Sequence, residues 1–166
     1  MPPHSPGGMA APNSDRDPRE PPIHLDLPDL PATEALGARI AALLRPGDTV
    51  LLDGPLGAGK SALARALLRA LTHDPALEVP SPTFTLVQAY DTPIGLVQHF
   101  DLWRLDGPGA IRELGWDEGD AALVEWPDRL GPLAPRDALT IRLSHAPGDA
   151  PGDARHAHLT GWEDRL

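Results

Sequence analysis

An α/β fold on a mixed sheet follows from three features of the 166-residue sequence. An apolar run at residues 49–52 leads directly into a glycine-rich turn, a stretch of Ala, Leu and Arg follows that turn, and strand-like runs return in close pairs later in the chain. A strand that passes through a turn into a helix needs a parallel partner, whereas closely spaced runs pair as antiparallel hairpins. The sheet is therefore mixed, central and flanked by helices.

Each element has its own reason. Residues 1–22 contain seven prolines and no Ile, Leu, Val or Phe, too little apolar surface to offset the entropy of ordering. They are expected to form a disordered tail, with one domain over 23–166 beginning near Ile23. Across 33–45, Leu36, Ile40, Leu43 and Leu44 make the stripe of an amphipathic helix. Thr33 is the expected N-cap, Glu34 sits in the first turn, and Pro46-Gly47 ends the helix. Residues 49–52 read as a buried strand. Residues 61–71 are strong helix formers closed by His73-Asp74-Pro75. Two runs, 84–90 and 94–100, joined by Asp91-Thr92-Pro93, read as a hairpin. Residues 109–118 supply a helical turn or two before an apolar strand at 121–124. Leu139, Ile141 and Leu143 alternate with Thr140, Arg142 and Ser144 as a half-exposed strand. The loop 147–153 then turns the chain back into a strand at 155–160.

Composition excludes several classes. The formal charge is −10, which argues against a protein that grips nucleic acid through its own basic surface. The absence of cysteine removes disulfide scaffolds, thiol catalysis and cysteine-ligated zinc. No apolar run or signal-like N-terminus points to a membrane or to export, so a soluble, cytoplasmic protein is expected. Thirteen of the fourteen basic residues are arginine, and the one lysine is Lys60.

That lysine lies in Gly54-Pro55-Leu56-Gly57-Ala58-Gly59-Lys60-Ser61, an eight-residue P-loop pattern set between a strand and a helix. Glycines let backbone N–H groups turn toward phosphate oxygens, and the helix N-terminus adds its positive end. Lys60 is expected to neutralise the β- and γ-phosphates of a nucleoside triphosphate, and the Ser61 hydroxyl to ligate Mg²⁺. The fold is accordingly P-loop NTPase-like. Hydrolysis also needs a carboxylate near the metal, at the C-terminal end of a buried strand. Asp101 and Glu125 both follow apolar runs. Either could hold Mg²⁺ and the other orient water, although each could simply end a strand.

Other residues carry two readings. The segment Ser81-Pro82-Thr83-Phe84-Thr85 is either a loop whose Thr83 and Thr85 hydroxyls sense the γ-phosphate or a plain turn. His99 reads as a hydrogen-bonded structural histidine. His156 and His158 share a strand face without a third ligand. Arg104 and Arg112 read as surface arginines with a phosphate or partner contact as the alternative. Trp103, Trp116 and Trp126 are either core or interface.

Four ordered motifs, Leu-Gly-Ala-Gly-Lys-Ser at 56–61, Ser-Pro-Thr-Phe-Thr-Leu-Val at 81–87, His-Phe-Asp-Leu-Trp-Arg-Leu at 99–105 and Leu-Val-Glu-Trp-Pro at 123–127, resemble the TsaE family. The resemblance runs from about residue 33 to 155. It implies a small ATP- and Mg²⁺-binding ATPase that docks on a TsaB–TsaD heterodimer. It also implies a supporting role in threonylcarbamoyl (t6A) modification of adenosine 37 in tRNAs reading codons that begin with A, with tRNA reached only through the partners. By the same resemblance, Glu125 is the magnesium-side carboxylate, Asp101 a second ATPase-essential acid, and Trp126 a residue linked to hydrolysis or partner contact. Thr33 falls where the family contacts nucleotide. Three positions depart from the family pattern: Pro55 replaces Asp, Ala62 replaces the second of two threonines, and Trp103 replaces Tyr. Altered turnover with intact nucleotide binding is the expected consequence. The alternative class is a small-molecule P-loop kinase, which would need an arginine-bearing lid. No arginine-dense insertion follows the P-loop helix. A nucleotide-dependent switch with little turnover shades into the first reading.

Overall fold

The computed structural model describes residues 23–148, 150 and 152–166; the expected tail at 1–22 lies outside the described residues. In chain order the strands are β1 (Ile23–Leu27), β2 (Thr49–Asp53), β3 (Val87–Thr92), β4 (Gly95–Asp101), β5 (Ala121–Glu125), β6 (Leu139–His145) and β7 (Arg155–Thr160), with helices α1 (Leu30–Leu43) and α2 (Lys60–Thr72). The strands form a single sheet in the order β1-β7-β6-β2-β5-β4-β3. Its centre is parallel, β2 pairing with β5 and β6 and β4 pairing with β5, while β1, β7 and β3 join antiparallel at the two sides. The predicted mixed α/β sheet is thus present.

β2, β4 and β5 are largely buried, which is why β2 and β5 read as unbroken apolar runs, whereas β6 buries Leu139, Ile141 and Leu143 and exposes Arg142 and Ser144, the half-exposed strand expected. Val50 and Leu52 pack in a core with Leu36, Ile40, Leu63 and Leu67 from the two helices, while Leu51, Val124 and Phe100 belong to a second core on the opposite face. Short 3₁₀ turns at 108–114 and 127–133 cover that second core through Ile111 and Leu130. The two helices lie close because Gly37 carries no side chain: a Cβ there would come within 2.7 Å of the Ala66 Cβ.

Several boundaries differ from the sequence reading. The first helix begins three residues before Thr33, and its N-cap is Asp29, whose carboxylate accepts from the Ala32 amide at 3.0 Å. Pro31 does not oppose this start, because a first-turn proline sacrifices no helical hydrogen bond. Thr33 is therefore a buried residue inside the first turn rather than a cap. The strand expected from residue 84 begins at Val87, since Leu86 adopts φ 70° and its amide donates to the Pro82 carbonyl at 2.7 Å. Asp91 and Thr92 belong to β3, leaving Pro93-Ile94 as a two-residue hairpin loop between Thr92 and Gly95. The helical turn or two expected over 109–118 is present as two 3₁₀ turns, Pro108–Ala110 and Arg112–Leu114. Strand β1 and the 127–133 turns were not predicted as elements.

The turn after β2 is held tightly. Gly54 has φ 144°, and a Cβ at this position would collide with the Leu143 carbonyl of β6. Gly54→Ala is expected to cost about 2 kcal/mol or more from backbone strain and displacement of β6, read as a lowered midpoint in denaturant unfolding.

Candidate nucleotide-phosphate site

Ser61, Thr83, Asp101 and Glu125, but not Thr33 or Thr85, converge at the C-terminal ends of the parallel strands. This is where open α/β sheets place their ligands. β2 delivers the loop 54–59 to the N-terminus of α2, with Gly59 at φ 101° as the helix N-cap. β4 and β5 end side by side, and Asp101 is the direct register partner of Glu125. The groups surround a cavity of about 370 Å³ whose lining includes Gly57, Lys60, Ser61, Asp101, Glu125 and Trp126.

Lys60 is buried, 5% exposed. Its ammonium donates to the carbonyls of Gly54 at 2.6 Å and Pro55 at 2.9 Å and lies 4.0 Å from the centre of the Trp126 ring. Burial pulls its pKa below the ordinary value, a shift partly opposed by Glu125, Asp53 and Asp101. Because Pro55 contributes only a carbonyl here, the proline does not disturb the lysine's contacts. Trp126 takes a left-handed backbone conformation, φ 60°, at the end of β5, and its ring packs against Trp103 with centroids 4.4 Å apart. Trp116 stands apart from this pair, against Phe100 in the second core.

Ser61, in the first turn of α2, donates its hydroxyl proton to Glu125 Oε1 at 2.9 Å. The other oxygen of Glu125 lies 2.7 Å from His99 Nε2. Asp101 has a different set of partners: Oδ2 accepts from Ser81 at 3.2 Å and Thr83 at 3.3 Å, and Oδ1 from the Trp103 amide at 3.0 Å. Thr83 therefore faces the site, whereas the Thr85 hydroxyl accepts from Gln88 at the surface. Thr33 stands on the other side of the loop, lining a small recess with Leu30, Ala58, Gly59 and Arg155.

Ser61, Glu125 and Asp101 form a set of hard oxygen donors, and the Ser61 proton is already committed to Glu125, which leaves the hydroxyl oxygen's lone pairs available to a cation. Magnesium characteristically takes one or two such protein ligands and keeps the rest as water and phosphate. The residues fit that ion. Electrostatics point the same way, because two carboxylates, Asp101 and Glu125, face the same cavity and a divalent cation there would offset their charge.

Arg155 was not visible in the sequence as a contributor, and His99 was visible as a hydrogen-bonded structural histidine but without its partner. Arg155, at the start of β7, donates to the carbonyls of Ala58 at 3.0 Å and Gly57 at 3.1 Å, pinning the phosphate loop from behind. His99 is fully buried against Glu125. The surface histidines separate into pairs, His156 with Asp26 at 2.8 Å and His158 with His24 at 3.1 Å. Among the described residues no group of three or more His, Asp or Glu side chains is arranged to hold a metal ion. Nor is any helix among them long and apolar enough to cross a membrane.

Comparison with known proteins agrees with this geometry. The family model described as "Threonylcarbamoyl adenosine biosynthesis protein TsaE" matches residues 27–154. The tRNA threonylcarbamoyladenosine biosynthesis protein TsaE of Streptomyces coelicolor is 36% identical over 138 residues, covering 78% of this chain and 90% of the relative. Its counterpart from Rickettsia bellii is 36% identical over 114 residues, covering 67% of this chain and 78% of the relative. The crystal structure of Bacillus subtilis YdiB superposes with a TM-score of 0.67 at 24% identity, over 86% of this chain and 87% of that one, a likeness of fold. With the P-loop, both strand-end acids and most of the domain inside the matched region, the chain belongs to the TsaE family of threonylcarbamoyl adenosine biosynthesis proteins.

Proposed function

We propose that this protein binds and hydrolyses Mg²⁺-ATP as an accessory to t6A formation at adenosine 37 of tRNAs reading codons that begin with A, acting in the cytoplasm on a TsaB–TsaD complex. The observation that carries the reading is the meeting of Lys60, Ser61, Asp101 and Glu125 around one cavity in a chain of this family. Net charge −10 is consistent with tRNA being reached through partner proteins rather than held directly.

The chain's own groups divide the work. Backbone amides of 54–61 and the N-terminus of α2 receive the phosphates. Lys60 exchanges the carbonyls of Gly54 and Pro55 for β- and γ-phosphate oxygens, which keeps its ammonium hydrogen-bonded throughout. Thr33 and its recess flank the loop on the nucleoside side. Ser61 and Glu125 are the residues that would hold Mg²⁺, and that ion, when bound, neutralises charge on the transferring phosphoryl group. Asp101 is then placed to orient the attacking water, while Thr83, bonded to the same carboxylate, links the 81–85 segment to the occupied site. Trp126, at the cavity wall beside Lys60, is the residue from which a partner would read that occupancy.

Reconstitution tests this. Purified TsaB, TsaD, threonylcarbamoyl-adenylate and tRNA should support repeated cycles of modification only when this protein and ATP are added. Unchanged multiple-turnover modification in its absence would overturn the proposed role.

A further inference from the structure

His99 occupies a place in the site that no phosphate contact explains. It lies in β4 two residues before Asp101, on the same face of the strand, and is fully buried. In the β4–β5 register it sits opposite Leu123, so Glu125 is its diagonal neighbour two residues further along. The Nε2 atom reaches Glu125 Oε2 at 2.7 Å, while Nδ1 is buried with no hydrogen-bond partner among the described residues. An orphaned buried N–H is more costly than a contact in which the one ring proton meets a carboxylate. The proton therefore belongs on Nε2, which donates to Glu125.

The final torsion of a glutamate is soft, a broad two-fold well rather than a sharp rotamer. One donor on one oxygen leaves the carboxylate free to swing. Here Ser61 holds Oε1 and His99 holds Oε2, so both oxygens are tied and the plane of the group is set. We propose that His99 is a positioning residue for the phosphate chemistry: through its Nε2–H it fixes the Glu125 carboxylate in the orientation that presents it, with Ser61, to the metal and nucleotide. This rests on the Mg²⁺-ATP reading of the cavity given above.

The two amide side chains separate positioning from space filling. The glutamine amide nitrogen reaches about where Nε2 stands, whereas that of asparagine reaches only the level of Nδ1. His99→Gln is expected to recover most of what His99→Asn loses. Calorimetric titration of ADP at graded Mg²⁺ concentrations should show the Mg²⁺ requirement of His99→Asn raised by about 10–100-fold, the range for removing a partner that orients a metal ligand. ADP affinity without Mg²⁺ should be unchanged, and kcat for ATP hydrolysis should fall with the Mg²⁺ requirement. Equal losses in the two variants, or a His99→Asn protein that matches wild type in Mg²⁺ requirement, would overturn the positioning role. If wild type itself binds ADP with no dependence on Mg²⁺, it is the reading of the cavity that fails. Nitrogen NMR of wild-type imidazole needs no variant to fold: a proton on Nε2 of His99 is expected, and a proton on Nδ1 alone overturns the proposal.

Discussion

Replacing Lys60 with alanine is expected to weaken ATP binding by about 100-fold or more, equivalent to ~3 kcal/mol for one charge-assisted phosphate contact, and to abolish measurable hydrolysis. No other lysine exists in the chain to substitute for it, and Arg155 is occupied by the loop carbonyls behind the site. Calorimetry with ATP and Mg²⁺ measures the effect; wild-type affinity together with wild-type turnover would contradict the site. The variant should not unfold, because burial disfavours the ammonium in the folded protein. The same shift fixes a pH dependence. A lysine whose folded pKa lies below 10.5 binds fewer protons folded than unfolded between those two values, so stability rises with pH across that window. ADP affinity moves the opposite way, declining as Lys60 loses its proton, and the decline should begin below 10.5. In Lys60→Ala both trends should vanish.

Glu125→Gln is expected to lower kcat by about 10²–10³-fold, the usual cost of removing one preorganised electrostatic group from a reacting centre, while ATP affinity changes only a few-fold. Glutamine keeps the shape of a side chain that is only 2% exposed and retains an acceptor for Ser61 or His99. The comparison therefore isolates charge from packing. Single-turnover hydrolysis measured alongside equilibrium binding distinguishes the two effects. A loss of affinity as large as the loss of rate would assign Glu125 to nucleotide binding instead.

What could be read from the sequence was what the local chain dictates. The P-loop is legible because its chemistry is backbone chemistry, and backbone chemistry restricts which residues can stand there: Gly54 and Gly59 occupy conformations that side chains avoid. Asp101 and Glu125 were visible as acids that end buried runs. The hidden parts depend on pairings between distant segments. His99 meets Glu125 only through the β4–β5 register, and Arg155 reaches the loop only because β7 lies beside β6. Thr33 illustrates the opposite error. It satisfies the composition rule for a cap, yet Asp29 wins because the helix continues through Pro31 to its first turn. β1 escaped notice because five residues next to a proline-rich stretch carry too little periodicity to be distinctive.

The anchoring of the phosphate loop by Arg155 also sets an order of events in folding. Gly57 and Ala58 precede their anchor by 98 and 97 residues, so during synthesis the loop leaves the ribosome long before the guanidinium that steadies it. β6, whose Leu143 carbonyl packs against Gly54, arrives almost as late. Contacts of such long range close slowly, and domains emerging from the ribosome acquire them last. The finished geometry of the 54–59 loop is thus a late acquisition, gained when β6 and β7 dock.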